Sequence, residues 1–115
     1  MELYLFVFKL KEDKYYLGFT TDYERAFVEC RAGFGPEWTK KYMPISVDLV
    51  IENAESYHET QILYTYFKKY GIDSVRGGPY HNIVLTKTQI DAIQAKIDSI
   101  DETGLADLMS GVRFT

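Results

Sequence analysis

The segment YYLGFT at residues 15–20 mixes aromatic and apolar side chains in the way that β-strands do. A similar segment at residues 3–9 precedes it, and the polar residues 11–14 lie between the two. Two strand-like segments joined by a short polar connection predict a β-hairpin. Residues 45–51 have the same character and predict a third strand.

Two pairs of residues with capping-box spacing predict where helices begin. Thr21 precedes Glu24 by three residues, which predicts a helix over residues 22–31, and residues 38–42 then form a connecting segment. Ser56 and Glu59 repeat the spacing ahead of a second helix that ends near Tyr70. A third helix is expected over residues 86–100, after a Gly-rich loop at residues 72–82.

These elements predict an α+β domain with a small, antiparallel, three-stranded sheet flanked by helices. The chain has 115 residues, of which 46% are hydrophobic, enough for one core. We expect a domain at residues 1–85 and a C-terminal helical extension, residues 86–115, packed on it. The lone Cys30, the strand-like N-terminus and the lack of a long apolar run predict a soluble protein inside a cell, in the cytoplasm or nucleus of a host, with no membrane partner.

Four segments resemble one known family when they are read in order. They are YLF at residues 4–6, YLG at residues 16–18, GFGPEWTKKYMP at residues 33–44 and YGIDSVRGG at residues 70–78. The first two are similar to the paired signature of the GIY-YIG endonucleases, and the last two are similar to a branch of that family common in large DNA viruses. The resemblance covers roughly residues 3–85 and implies the GIY-YIG nuclease-like fold.

The resemblance also implies a chemistry. Working members hydrolyse phosphodiester bonds with a divalent cation, Mg²⁺ or Mn²⁺, held by a helix glutamate. Tyrosines help to deprotonate the water, and an arginine stabilises the phosphate.

Carried over residue by residue, the signature is kept at only one catalytic position, Tyr16. The other positions are occupied by residues that lack the required group or differ from the common one: Phe6 for the first tyrosine, Ala26 for the arginine, Cys30 for a histidine, Leu63 for the metal-binding glutamate and Ser74 for a polar residue, with Asn82 as a nearby alternative. Phenylalanine cannot donate or accept a proton.

Three nearby residues offer replacements for the missing groups. Tyr4 lies two residues from Phe6 on the same strand face, and Arg25 is next to Ala26 but rotated by about 100° on the helix. Glu59 lies one turn before Leu63. It is interpreted either as a displaced metal ligand or as the acid of the capping box begun by Ser56.

The net charge of −4 argues against a protein that coats nucleic acid indiscriminately. Basic residues within or beside the shared segments nevertheless predict a stripe facing DNA phosphates, made of Lys40, Lys41, Lys68, Lys69 and Arg76.

Three hypotheses follow for function. The first is a nuclease-like protein with a lost or impaired site that binds nucleic acid or a protein partner. The second is an active endonuclease with a rearranged site built from Tyr4, Tyr16, Arg25 and Glu59. The third is an acidic interaction module, either packed on itself or forming a homodimer through the isoleucines of its C-terminal helix: Ile90, Ile93, Ile97 and Ile100.

Overall fold

A computed structural model describes residues 2–99 and the backbone of a two-residue strand at 113–114. The chain alternates strands and helices, with 3₁₀ turns at Lys11–Asp13 and Ile72–Ser74. In chain order the elements are β1 (Tyr4–Leu10), β2 (Lys14–Thr20), α1 (Tyr23–Arg31), α2 (Glu37–Lys41), β3 (Pro44–Ile51), α3 (Ser56–Tyr70), β4 (Val75–Gly77), α4 (Lys87–Asp98) and β5 (Arg113–Phe114).

The sheet has the order β4-β2-β1-β3-β5. Its centre contains the three predicted strands, because β1 pairs antiparallel with both β2 and β3. The sheet is larger and mixed, however: β4 lies parallel to β2, and β5 adds a short edge beside β3. The prediction of a three-stranded antiparallel sheet was therefore incomplete. The α+β class itself is confirmed.

Alternation along β1 assigns its side chains to two cores on opposite faces of the sheet. Leu5 and Val7 are fully buried on the face covered by α3 and α4. Phe6, Phe8 and Leu10 are buried on the other face, against α1 and α2. Since each fully buried apolar side chain contributes about 1.5–3 kcal/mol, this strand anchors both layers.

Helix α4 packs onto the rest of the domain through two of the four predicted isoleucines. Ile93 is 0% exposed and Ile97 is 9% exposed within the core shared with α3. Ile90 is 36% exposed, and Ile100 lies outside the described residues. None of the described helices combines the length and the apolar composition that a membrane crossing requires.

The helix caps differ from the predicted ones by one residue. At α1 the side chain of Asp22, and not that of Thr21, accepts from the Arg25 backbone N–H at 3.1 Å. At α3 the backbone N–H of Glu55 donates to His58 Nδ1 at 2.9 Å. The predicted capping role of Glu59 is therefore wrong, and its carboxylate is not used at that helix start.

Buried tyrosine hydroxyls tie α3 to its surroundings. Tyr66 donates to Asp48 Oδ2 at 2.6 Å, and the hydroxyls of Tyr64 and Tyr80 are 3.1 Å apart. Burial first, and then the bond to Tyr80, raises the pKa of Tyr64 to about 12. Burial and Asp48 raise the pKa of Tyr66 further. Both phenols are thus held neutral in the folded chain.

The raised pKa values of Tyr64 and Tyr66 predict that the folded chain loses stability at alkaline pH. Their folded pKa values lie above the unfolded value of about 10, so the unfolded chain loses protons first as the pH rises. The contribution is complete below about pH 10 and is lost as the pH rises through the folded values. We expect the free energy of unfolding, measured in urea at pH 8, 10 and 11, to fall more steeply for the wild type than for Tyr66→Phe. Tyr57→Phe, at an exposed ring, serves as the control. Equal slopes for the wild type and Tyr66→Phe would contradict the assignment.

Candidate functional site

The side chains of Phe6 and Tyr16 converge over Gly18. Phe6 lies opposite Gly18 in the β1–β2 ladder, and Tyr16 is two residues before Gly18 on the same face. A methyl group added at Gly18 would lie 2.8 Å from Phe6 Cζ and 3.4 Å from the Tyr16 hydroxyl oxygen. The tip of the Phe6 ring therefore occupies the position beside Tyr16 from which a second hydroxyl would project.

The carboxylate of Glu59 lies against the loop that follows β4. A Cβ added at Gly78 would be 3.0 Å from Glu59 Oε1, and Gly78 has a positive φ of +55°. Glycine is favoured at such a position both by its backbone angle and by the approach of the side chain. Glu59 itself is half-buried in the first turns of α3.

Tyr16 lies within electrostatic range of Glu59. Burial makes the largest contribution to raising the pKa of the Tyr16 phenol, followed by Cys30 and then Glu59. A raised pKa keeps the phenol protonated at neutral pH, so that Tyr16 acts there as a hydrogen-bond donor. The site defined by Tyr16, Gly18, Glu59 and Gly78 is called the Tyr16–Glu59 site below.

Helix α1 brings an uncharged residue to this site. Ala26 packs in the same cluster as Phe6 and Tyr16, and its methyl group offers nothing to a phosphate. Arg25 is 76% exposed at its side chain, and its Nε donates to Glu29 Oε1 at 2.8 Å. The structure does not bring Arg25 to Tyr16, which agrees with the geometry of a solvated helix arginine.

Tyr4 lies on the same face of β1 as Phe6 but nearer the end of the strand. Its hydroxyl donates to Glu2 Oε2 at 3.2 Å, and its ring packs edge-on against Tyr23, with ring centroids 5.3 Å apart. Partial burial and the bond to Glu2 raise the pKa of Tyr4. A separation of two residues along a strand is about 6.5 Å, so Tyr4 does not take the place of a hydroxyl at Phe6.

The remaining substituted positions serve packing. Cys30 is 7% exposed and packs in the same core as Phe6. Burial raises the pKa of its thiol, and a hydrogen bond with Thr39 partly offsets that rise. Leu63 is 1% exposed in the core on the opposite face of the sheet. Ser74 is half-buried beside α4, in a cavity that Gln94 also lines. Leu63 therefore has neither the chemical group nor the exposure of a metal ligand, and Glu59 is the acidic residue one turn before it on α3.

The predicted basic stripe is only partly present. Arg76 is 3% exposed, and its guanidinium donates only to backbone carbonyls, so the prediction that it faces phosphate is wrong. Lys40 pairs with Glu37 at 3.2 Å. The ammonium groups of Lys41 and Lys69 lie over the rings of Tyr42 and Tyr70, respectively, and Lys68 is half-buried beside α4.

The described residues offer few protein ligands for a metal ion. Within residues 2–99 there is no group of three or more His, Cys, Asp or Glu side chains that could hold an ion. Mg²⁺ is commonly bound by one or two carboxylates together with water and substrate phosphates, and it does not need a cage of protein ligands. Glu59, which packs against Gly78, offers a single carboxylate of this kind.

Comparison of the chain with protein-family models, curated proteins and solved structures gave no match.

Proposed function

We propose that this chain is a nucleic-acid-binding protein with a GIY-YIG-like fold whose hydrolytic site is incomplete. One observation carries the proposal. Tyr16 keeps a phenol, and Glu59 offers a carboxylate within electrostatic range of it, whereas Phe6 and Ala26 stand where the resemblance implies the second tyrosine and the arginine. The proposal is that such an arrangement can still bind nucleic acid but lacks the groups for proton transfer and charge stabilisation.

The retained residues suit the capture of a phosphate. The neutral Tyr16 hydroxyl donates a hydrogen bond to a phosphate oxygen or to a water molecule beside it. Because Gly78 has no side chain, the Glu59 carboxylate packs directly against the exposed backbone at that residue. Glu59 would be the residue to hold a divalent ion, which would supply the positive charge that offsets the repulsion between this carboxylate and a phosphate.

The missing residues account for the impaired chemistry. The Phe6 ring takes no proton from an attacking water molecule, and general bases contribute about 10²–10⁴-fold to such rates. Ala26 leaves the charge that builds on the phosphate without a cation, and one stabilising donor is worth about 10²–10³-fold. Arg25, the arginine next to Ala26, pairs with Glu29 instead.

An active endonuclease is the second candidate, and a specific observation favours it. The helix cap is formed by Glu55 and His58, so capping does not account for a glutamate at position 59. Glu59 lies beside Gly78 and within electrostatic range of Tyr16. The interaction module is less favoured, because Ile93 and Ile97 are buried within the chain's own core.

The first functional prediction concerns Glu59. We expect the wild type to bind labelled single-stranded or branched DNA in a fluorescence anisotropy titration, and Mg²⁺ to strengthen that binding. Glu59→Gln should lose the Mg²⁺-dependent part, about tenfold in affinity, because its amide holds a cation poorly. The matched control is Glu24→Gln, which removes an exposed carboxylate at the start of α1.

The same preparations also decide between the candidates in a plasmid-nicking assay with Mg²⁺ or Mn²⁺. We expect no nicking that depends on Tyr16 or Glu59. Nicking that disappears in both Tyr16→Phe and Glu59→Gln would establish the second candidate. If the wild type bound none of the DNA forms, nucleic acid would be excluded and the interaction module would be left.

A further inference from the structure

A second pocket lies on the α1–α2 side of the sheet, between the end of α2, the start of β2 and the segment before α4. It has a volume of about 270 Å³, near the lower end of the range for small-ligand sites. Its lining includes Lys14, Lys41, Tyr42, Arg76 and Val84. None of these residues belongs to the Tyr16–Glu59 site.

The floor of this pocket is rigid. Trp38 is 2% exposed, and its indole N–H donates to the backbone carbonyl of Tyr15 at 2.9 Å. The guanidinium carbon of Arg76 lies 4.5 Å from the Trp38 ring centroid. Both side chains are thus locked before any ligand arrives, which reduces the entropy that binding costs.

Positive charge gathers around the same floor. The Nζ atoms of Lys14 and Lys41 lie 5.5 Å and 5.4 Å from the centroid of the Tyr42 ring. Within the described residues, no ion pair involves Lys14, Lys41 or Arg76. The described lining contains one carboxylate, Asp73, against these three cations. A cluster of cations that is not neutralised attracts an anion.

The opposite wall is apolar and open. Val84 is 81% exposed and Ile90 is 36% exposed, and both line the pocket. A ligand that matches both walls carries a compact anion at one end and a flat, weakly polar body at the other. A phosphate joined to a nucleoside has this form.

We infer that the pocket between Lys14, Lys41 and Val84 binds a nucleoside monophosphate, with the phosphate between the two lysines and the base against Val84 and Ile90. The ligand is either a free mononucleotide or the 5′-phosphorylated end of a strand. The inference goes beyond the proposed function, since it uses no residue of the Tyr16–Glu59 site and needs no metal.

The test is a titration in EDTA with deoxycytidine 5′-monophosphate, deoxycytidine and inorganic phosphate. It is followed by the NMR signal of the indole N–H of Trp38, the only tryptophan in the chain. We expect the nucleotide to shift this signal with saturation, deoxycytidine to leave it unchanged, and inorganic phosphate to bind at least about fivefold more weakly than the nucleotide. Equal affinity for the nucleoside, or for inorganic phosphate, would overturn the inference.

Variants localise the binding. Lys14→Gln combined with Lys41→Gln should weaken nucleotide binding by at least about tenfold, because charge-assisted contacts are the strong ones. Val84→Glu places a repelling carboxylate at an exposed position and should have a similar effect without disturbing the core. Lys69→Gln, at a lysine that covers Tyr70 in the same way, is the matched control and should bind as the wild type does. Unchanged binding in both pocket variants would refute the assignment.

Two further ligands distinguish the sources. A 5′-phosphorylated hexanucleotide that binds more tightly than the mononucleotide, with its 5′-hydroxyl counterpart inactive, supports a strand end as the ligand. Binding of the mononucleotide alone supports a free nucleotide. Because these titrations contain EDTA, they also succeed or fail independently of any result at Glu59.

Discussion

Replacing Arg76 by alanine should lower the free energy of unfolding by about 3–5 kcal/mol, because it breaks a network of buried hydrogen bonds made by a charged donor. The side chain is 3% exposed and lies over Trp38. Its removal leaves buried carbonyls unpaired, each at a cost of about 1–3 kcal/mol unless water replaces the donor. The bonds lost run at 2.6 Å to Ile72, 2.7 Å to Val75, 2.7 Å to Asn82 and 2.9 Å to Ile83.

Urea denaturation followed by far-UV circular dichroism measures this effect without relying on Trp38. Arg76→Lys should fall between alanine and the wild type, since one ammonium group cannot reproduce the planar fork of donors. Arg25→Ala is the control for an exposed arginine and should change the stability by less than about 0.5 kcal/mol. A loss below about 1 kcal/mol for Arg76→Ala would contradict the structural role of this residue.

Arg76 also illustrates what residue type alone does not reveal. Arginine is almost never fully buried, so a basic residue in a shared segment was naturally interpreted as a phosphate contact. The residue is held instead by carbonyls of the 3₁₀ turn and of residues 82–83, which become its neighbours only when the chain folds. Burial lowers its pKa, and Asp73 and Tyr42 partly offset that effect.

The strands of the hairpin were predictable because each carries enough aromatic and apolar residues to fill a face. β4 was not, because it has only three residues and ends at Gly77, and was therefore taken for part of a loop. Its pairing with β2 brings together residues about 60 positions apart, such as Tyr16 and Arg76. Pairing at that distance leaves no local pattern in the sequence.

The candidate site was partly predictable for a similar reason. Tyr16 and Phe6 follow from the strand alternation, and their meeting over Gly18 follows from the register. The approach of Glu59 to Gly78 depends on how α3 packs against the end of β4. In the sequence, the spacing of Ser56 and Glu59 matches a capping box. In the structure, the capping hydrogen bond forms one residue earlier, between Glu55 and His58.

Restoring the two missing groups together should raise metal-dependent cleavage. We expect Phe6→Tyr combined with Ala26→Arg to nick supercoiled plasmid in Mg²⁺ at least about 10²-fold faster than the background measured with the wild type, given the usual contributions of a general base and a stabilising cation. The new hydroxyl would project beyond Phe6 Cζ, which already lies beside Gly18 and the Tyr16 hydroxyl. An arginine at position 26 would extend from the cluster that holds Tyr16.

Two controls test whether the faster cleavage comes from the Tyr16–Glu59 site. Phe19→Tyr adds the same hydroxyl one residue from Gly18, but it packs against the core on the opposite face and should leave the rate unchanged. Adding Glu59→Gln to the double variant should return the rate to the wild-type level, because the introduced groups are expected to work only beside that carboxylate. Cleavage by a contaminating nuclease would not change with the Glu59→Gln substitution. If the double variant folded and bound DNA but did not cleave faster, the absence of these two groups would not be what limits hydrolysis, and the site would have to be described as one built for binding alone.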